Sequence, residues 1–158
     1  MTIRYLNCLI SGGQTGVDRA ALDVALELGL ACGGWCPQGR MAEDGPIAAH
    51  YPLREVSGGY RVRTVKNVKM ADGTLILNRG ELAGGSRLTA NLARKHHKPL
   101  FIIDLEQSGD PEAVHAWATT HAIQTLNIAG PGEHRCPGIH AQAVAYLKQV
   151  FESANRPG

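Results

Sequence analysis

The sequence has no long hydrophobic run, little net charge and few cysteines. No apolar stretch approaches the ~18 residues of a membrane span, and the N-terminus lacks the apolar core and cleavage site of a secretory signal. The formal net charge is +2, from 16 basic and 14 acidic residues, which does not indicate nucleic-acid or membrane binding. Four scattered cysteines favour free thiols over a disulfide framework. We therefore expect a cytoplasmic protein that binds neither nucleic acids nor membranes.

The cysteines also give little indication of a metal site. Cys32 and Cys36 have C-x3-C spacing, and Cys136 lies between His134 and His140, but no second close cysteine pair exists. We predict no bound metal. Cys36 is the one thiol that the sequence places beside a possible ligand crevice.

Short apolar runs alternate with helically spaced segments along the whole chain. The predicted strands are 5–10, 30–35, 53–56, 74–77, 99–103 and 124–129, and the predicted helices are 17–28, 60–70, 86–97, 110–121 and 137–153. Most of the strands are apolar on both faces, which is typical of a parallel sheet covered on both sides. The sequence thus predicts a doubly wound α/β fold in three α/β/α layers, forming a single domain over residues 1–158.

Glycine is abundant, and it is concentrated in loops between strands and helices. There are 19 glycines in 158 residues, above the roughly 7% average. The stretch "ISGGQTGVDR" at 10–19 joins the first strand to the first helix, and "NRGELAGGS" at 78–86 joins a later pair. Helix N-termini attract oxyanions, and doubly wound folds bind ligands where the strand order reverses. If it reverses between these strands, the two loops face one crevice.

The first of these glycine loops matches neither of two familiar nucleotide motifs. Ser11, Gly13 and Gly16 stand where the dinucleotide fingerprint has its three glycines, but no acid ends the second strand to bind a ribose. The P-loop lysine is missing after Gly16. These gaps argue against NAD binding and against P-loop ATP hydrolysis.

Charged residues near the glycine loops are candidates for a ligand site. A long irregular loop, "CPQGRMAEDGPI", carries Arg40, Glu43 and Asp44, and loops of this length are often functional. Arg19 and Arg87 follow the two glycine loops and could each bind a phosphate oxygen, although either could equally be a surface arginine. The residues alone indicate a binding crevice more clearly than a catalytic centre.

Four stretches together resemble a known family: "ISGGQTGVDRAALDVALELGL", "GGWCPQGRMAEDGPI", "NVKMADGTLIL" and "GGSRLT". They are similar to the molybdenum carrier family, also described as molybdenum cofactor carrier proteins. These are Rossmann-like proteins related to the lysine decarboxylase-like (LOG-type) phosphoribohydrolases. The resemblance covers about residues 5–150. It implies a homo-oligomer (dimer or tetramer), molybdenum cofactor (molybdopterin, a pterin with a terminal phosphate) as ligand, and molybdoenzymes as partners.

The resemblance also implies which residues contact the phosphorylated ligand. Transferred by motif, they are Ser11, Gly12, Gly13, Gln14, Thr15, Gly16, Asp18, Arg19, Gly39, Arg40, Glu43, Asp44, Gly84, Gly85, Ser86 and Thr89. The related hydrolases have a PGGxGTxxE pattern where this chain reads "LAGGSRLTAN", without the proline or the glutamate. This departure argues against N-glycosidic hydrolysis.

Three functions remain open at this point. The first is a carrier for a phosphorylated pterin or nucleotide-like ligand. The second is a hydrolase of a nucleotide derivative, in which Glu43 or Asp44 activates water and Arg40 holds the phosphate. The third is a nucleotide sensor whose oligomeric state responds to the ligand.

Overall fold

The computed structural model describes residues 3–107 and 109–155. Its elements are β1 (Cys8–Ile10), α1 (Val17–Leu28), β2 (Ala31–Gly33), β3 (Trp35–Pro37), β4 (Met41–Ala42), β5 (Gly45–Pro46), β6 (Arg54–Val56), α2 (Gly59–Met70), β7 (Gly73–Asn78), α3 (Gly84–Lys95), β8 (Leu100–Asp104), α4 (Pro111–Thr120), β9 (Thr125–Ala129) and α5 (Ile139–Asn155). None of the helices in this described part of the chain is long and apolar enough to cross a membrane.

A five-stranded parallel sheet forms the centre of the molecule. Its strand order is β2-β1-β9-β7-β8, and every residue of β7 is buried. One large apolar cluster joins the sheet to α1, α4 and α5, while Val68, Leu92 and Ala93 form a second cluster between α2 and α3 on the other face. The predicted doubly wound, three-layer Rossmann-like fold is therefore confirmed.

Two helix boundaries follow from capping residues that the sequence shows. Gly29 ends α1 in the left-handed conformation, and its N–H bonds to the last carbonyls of the helix. Asp110 begins α4 by accepting a hydrogen bond from the amide of Glu112 at 3.0 Å, with Pro111 in the first helical position. These local signals set the ends of the predicted helices to within about two residues.

The strand order reverses where the two glycine loops lie. The chain passes from β1 outward to β2 on one side, and from β7 outward to β8 on the other, while β9 pairs with both β1 and β7. The loop after β9, residues 130–138, therefore lies between the two glycine loops. The carboxyl ends of β1, β9 and β7 together define one crevice, as the doubly wound arrangement predicts.

The loop predicted as irregular contains structure of its own. Its middle is a small antiparallel hairpin of β4 and β5, which places Glu43 and Asp44 at the tip. Arg40 holds the loop together, because its guanidinium donates to the carbonyls of Leu53, Ala48 and Tyr51 at 2.8–3.2 Å. Arg40 is thus committed to its own loop and lies outside the crevice, in contrast to its predicted phosphate contact.

Cys36 also lies elsewhere than the sequence indicated. It belongs to β3, which pairs with β6 in a separate two-stranded sheet. Its side chain is fully buried against Leu22, Ile47 and Leu53, and burial raises the pKa of its thiol. Cys36 is a core residue and does not border the crevice.

Candidate functional site

The crevice at the carboxyl ends of the central strands has a volume of about 190 Å³. Three loops, the hairpin tip and the start of α2 contribute to this central crevice. Its lining residues are Gln14, Glu43, Tyr60, Ala83, Gly85, Ser86, Gly130, Pro131, Gly132 and Arg135. Both predicted glycine loops thus reach the same site, and each contributes residues that the sequence singled out.

Several backbone amides of the first glycine loop, residues 11–16, and of the start of α1 are bonded within the protein. The amide of Val17, which begins α1, donates to the carbonyl of Pro131 at 3.2 Å. The amide of Arg19 donates to the carbonyl of Gln14 at 3.1 Å, and the amide of Gln14 donates to the Asp18 carboxylate at 3.4 Å. Protein acceptors therefore take several of the amides that would otherwise attract a ligand phosphate, while the amides of Gly13, Gly16 and Asp18 have no acceptor among the described residues.

Asp18 is the centre of this internal network. Its carboxylate is buried and lies 3.5 Å from the guanidinium of Arg63 on α2. Burial raises the pKa of Asp18 to about 6, although Arg63 and the amides of Gln14 and Gly12 favour the charged form. A side chain at Gly12 would overlap the Arg63 guanidinium, so glycine is required for this close approach. The Asp18 carboxylate thus stabilises the loop from its buried side.

Several predicted ligand contacts are buried with Asp18. The Ser11 hydroxyl donates to the Asp18 carbonyl at 2.8 Å and is fully buried. Gly12 and Gly13 are buried as well. Residues 11–13 therefore lie in the protein interior and do not line the central crevice. Gln14 borders the central crevice, while Thr15 and Gly16 border a neighbouring cavity.

The predicted phosphate-binding arginine at the start of α1 already has a partner. Arg19 forms two hydrogen bonds to the Asp44 carboxylate, at 2.6 and 3.2 Å, and a third to the carbonyl of Gly13. These bonds lower the pKa of Asp44. Gly39 is also outside the crevice, since it is exposed and its amide donates to Glu55 at 2.7 Å.

Glu43 connects the hairpin tip to two of the crevice loops. Its carboxylate accepts hydrogen bonds from the Thr15 hydroxyl and from the amide of His134, the latter at 3.0 Å. Its own amide donates to the Gln14 side chain at 2.9 Å. Partial burial raises the pKa of Glu43, but the donors from Thr15 and His134 outweigh this and lower the pKa overall.

The second glycine loop, residues 78–86, leaves the start of α3 open. Among the described residues, no acceptor takes the amide N–H of Gly84, Gly85 or Ser86. The Tyr60 hydroxyl occupies the position where a Gly85 side chain would lie, and the Arg135 guanidinium lies 2.6 Å from the corresponding position at Gly84. This end of α3 therefore presents free donors to the central crevice.

Two further residues of this region point away from the crevice. Thr89 is buried, and its hydroxyl donates to the carbonyl of Gly85 at 2.8 Å within α3. Arg87 donates twice to the carbonyl of Leu82 in its own loop, at 2.8 and 3.2 Å. By contrast, Arg135 makes no hydrogen bond or ion pair with any residue in the described part of the chain.

Comparison with known proteins now identifies the family. Residues 9–151 match the model of the "Circularly permutated YpsA SLOG family". The chain belongs to this family. It is also similar to a crystal structure from Syntrophus aciditrophicus SB named "Putative molybdenum carrier protein", with 44% identity over 93% of this chain and 95% of that chain, and a TM-score of 0.88. No curated protein matches. The resemblance to molybdenum carrier proteins seen in the sequence is confirmed.

Several residues that line the crevice were not predicted from the sequence. Tyr60 and Arg135 lie beside the start of α3, and Gly130–Gly132, which directly follow β9, line another part of the crevice. The signal was present in "GPGEHRC", a glycine-rich stretch directly after the last strand, where the same rule for doubly wound folds applies. Among the described residues, no group of three or more His, Cys, Asp or Glu side chains is placed to hold a metal ion.

Proposed function

We propose that this protein is a binding and carrier protein for a phosphorylated pterin or nucleotide-like ligand, with molybdenum cofactor as the first candidate. Two comparisons support a carrier role: the family match, and the name of the similar protein from Syntrophus aciditrophicus. The structure adds a physical reason, because its central crevice carries unpaired donors at one helix start.

The open start of α3 is the observation that carries the proposal. The free amides of residues 84–86 and the Ser86 hydroxyl suit the oxygens of a phosphate, and the helix dipole favours its negative charge. Arg135 supplies a full positive charge beside them, and no carboxylate in the described part of the chain forms an ion pair with it. Gln14 lines the same crevice and is the candidate to contact the rest of the ligand.

The environments of Glu43 and Asp44, the two carboxylates considered for catalysis, favour a carrier over a hydrolase. Asp44 is held by Arg19 in two hydrogen bonds, and Glu43 is held by Thr15 and by the amide of His134. The pKa of each is lowered, which weakens it as a general base. A hydrolytic role would require one of these carboxylates to leave its partners.

The test uses wild-type protein and two ligand classes under anaerobic conditions. We expect purified protein to retain molybdenum cofactor through gel filtration and to slow its oxidative loss, measured by pterin fluorescence. Nucleoside monophosphates should give no free base. Rapid loss of cofactor at the rate seen without protein would reject the carrier proposal. Base release that disappears in Glu43→Gln would replace it with the hydrolase.

We further propose that the carrier acts in the cytoplasm as a homodimer or homotetramer and passes its ligand to molybdoenzymes. Light scattering with and without ligand tests the assembly. A ligand-dependent change in mass without cofactor protection would favour the sensor. Activation of a cofactor-free molybdoenzyme by the loaded protein tests delivery, and the free cofactor at equal concentration is the control.

A further inference from the structure

Two cavities adjoin each other on either side of the Glu43 side chain. The central crevice has a volume of about 190 Å³, below the range of roughly 300–1,000 Å³ that is common for ligand sites. A neighbouring cavity of about 410 Å³ is lined by Thr15, Gly16, Asp44 and His134, among others. Glu43 borders the first cavity and hydrogen-bonds to Thr15 and His134 of the second. Its side chain therefore stands between them.

The donors around the Glu43 carboxylate form an oxyanion site. The amide of Glu133 donates to the Thr15 hydroxyl oxygen at 3.0 Å, which directs the hydroxyl proton of Thr15 toward Glu43. The next amide, that of His134, donates to the same Glu43 oxygen. Gly132 lets the carboxylate approach, because a side chain there would come within 2.7 Å of the Glu43 carboxylate. The lowered pKa of Glu43 agrees with an environment that favours negative charge.

The Glu43 carboxylate can leave this site without unfolding the hairpin. The side chain is 26% exposed, so it can rotate into solvent. The amide of Glu43 remains bonded to Gln14, and Asp44 remains bonded to Arg19, because neither contact uses the Glu43 carboxylate. Rotation would open the central crevice toward the neighbouring cavity, whose volume of about 410 Å³ is by itself within the usual range for ligand sites.

We infer that Glu43 occupies a second oxyanion subsite, formed by the Thr15 hydroxyl and the His134 amide, and that a second anionic group of the ligand displaces it. The inference rests on the proposed function, since it concerns the other end of the same ligand. The ligand class is then one with two separated anionic oxygen groups, the first of them a phosphate at the start of α3. Glu43 keeps the second subsite filled until such a ligand binds.

The test counts bound inorganic phosphate, and separately molybdate, by isothermal titration calorimetry. We expect one equivalent in wild-type protein and two in Glu43→Ala, because removal of the carboxylate vacates the second subsite. Glu55→Gln removes one negative charge from β6, outside the crevice, and should retain one equivalent. Thermal unfolding confirms that both variants fold.

The outcomes separate this inference from the proposed function. One equivalent in both wild-type protein and Glu43→Ala would overturn the second subsite and leave the site at α3 intact. No binding to wild-type protein but one equivalent to Glu43→Ala would support the second subsite and contradict the site at α3. If Glu55→Gln also binds a second equivalent of the anion, the second binding event follows from the loss of any one negative charge. That result would overturn the inference.

Discussion

The two glycine loops look alike in sequence and differ in what their helix starts can still bind. In the first loop, Pro131, Gln14 and Asp18 accept hydrogen bonds from the amides of Val17, Arg19 and Gln14, in that order. In the second, the amides of Gly84 and Gly85 have no acceptor among the described residues, and Arg135 lies beside them. The first loop thus contacts α2 and the loop after β9, whereas the second leaves a helix start open, where we propose that the phosphate binds.

This difference shows what a glycine-rich turn means in a doubly wound fold. The pattern of strand, glycines and helix establishes that the backbone can approach something closely. What it approaches can be another part of the same chain, as Arg63 does at Gly12, or a ligand. Only the complete account of donors and acceptors separates the two cases.

The largest expected effect comes from breaking the internal network of the first loop. Arg63→Met keeps most of the volume but leaves the buried Asp18 carboxylate without its cation, which costs about 3–5 kcal/mol of unfolding free energy. Arg61 is exposed on the same helix, and Arg61→Met should change stability by less than about 0.5 kcal/mol. Urea unfolding measures both. Equal small losses would show that the ion pair does not support the loop.

A second pair compares glycines from the two loops directly. Gly16 has φ +80°, and a side chain there would strike the carbonyl of Pro131. Gly80 also has positive φ, at +67°, but no atom lies within 4 Å of an added side chain. We expect Gly16→Ala to lose about 3 kcal/mol and Gly80→Ala about 1 kcal/mol of unfolding free energy. If the two losses are equal, the first loop is no more tightly packed than the second.

The first loop should also carry a pH dependence, through Asp18. The pKa of Asp18 is raised from 3.8 to about 6 in the folded protein, so the folded state binds this proton more tightly than the unfolded state. Its contribution to stability is complete below about pH 4 and is lost as the pH rises through 6. Relative to Asp18→Asn, wild-type protein should therefore gain about 2 kcal/mol between pH 7 and pH 4.

Urea unfolding at several pH values measures this difference, and the other carboxylates cancel because both proteins contain them. Parallel stability curves for wild-type protein and Asp18→Asn would contradict the raised pKa. A relative loss for the wild type on acidification would show that Arg63 dominates over burial.

The smallest expected effect concerns ligand binding at the second loop. Arg135→Ala removes the only positive charge among the described lining residues of the central crevice, and should weaken phosphate binding about tenfold, or about 1.4 kcal/mol. Arg87→Ala is the matched control, because Arg87 is bonded to the carbonyl of Leu82 in its own loop. Calorimetry compares them. Equal weakening by both variants would assign the effect to overall charge.

The sequence predicted the fold well because local signals determine most of its elements. Apolar runs identified the central strands, and Gly29 and Asp110 marked helix ends through their capping geometry. The separate pairing of β3 with β6 was not predicted, because three-residue strands have too few positions to show a period.

The site was predicted only in part, because its contacts depend on pairings between distant segments. Arg19, Arg40 and Asp18 were placed at the ligand on residue type and motif, but each has a partner elsewhere in the chain. Arg135 was overlooked because the position of β9 between β1 and β7 brings its loop to the crevice. Long-range strand order of this kind leaves no local pattern in the sequence.

The most direct test of the account is a titration of isotope-labelled protein with inorganic phosphate, followed by amide chemical shifts. We predict that the largest shifts occur at Gly84, Gly85 and Ser86, whose amides are free. The amides of residues 12–16 should move little. The largest shifts at residues 12–16, with none at Gly84–Ser86, would contradict the assignment of the phosphate site to the second loop.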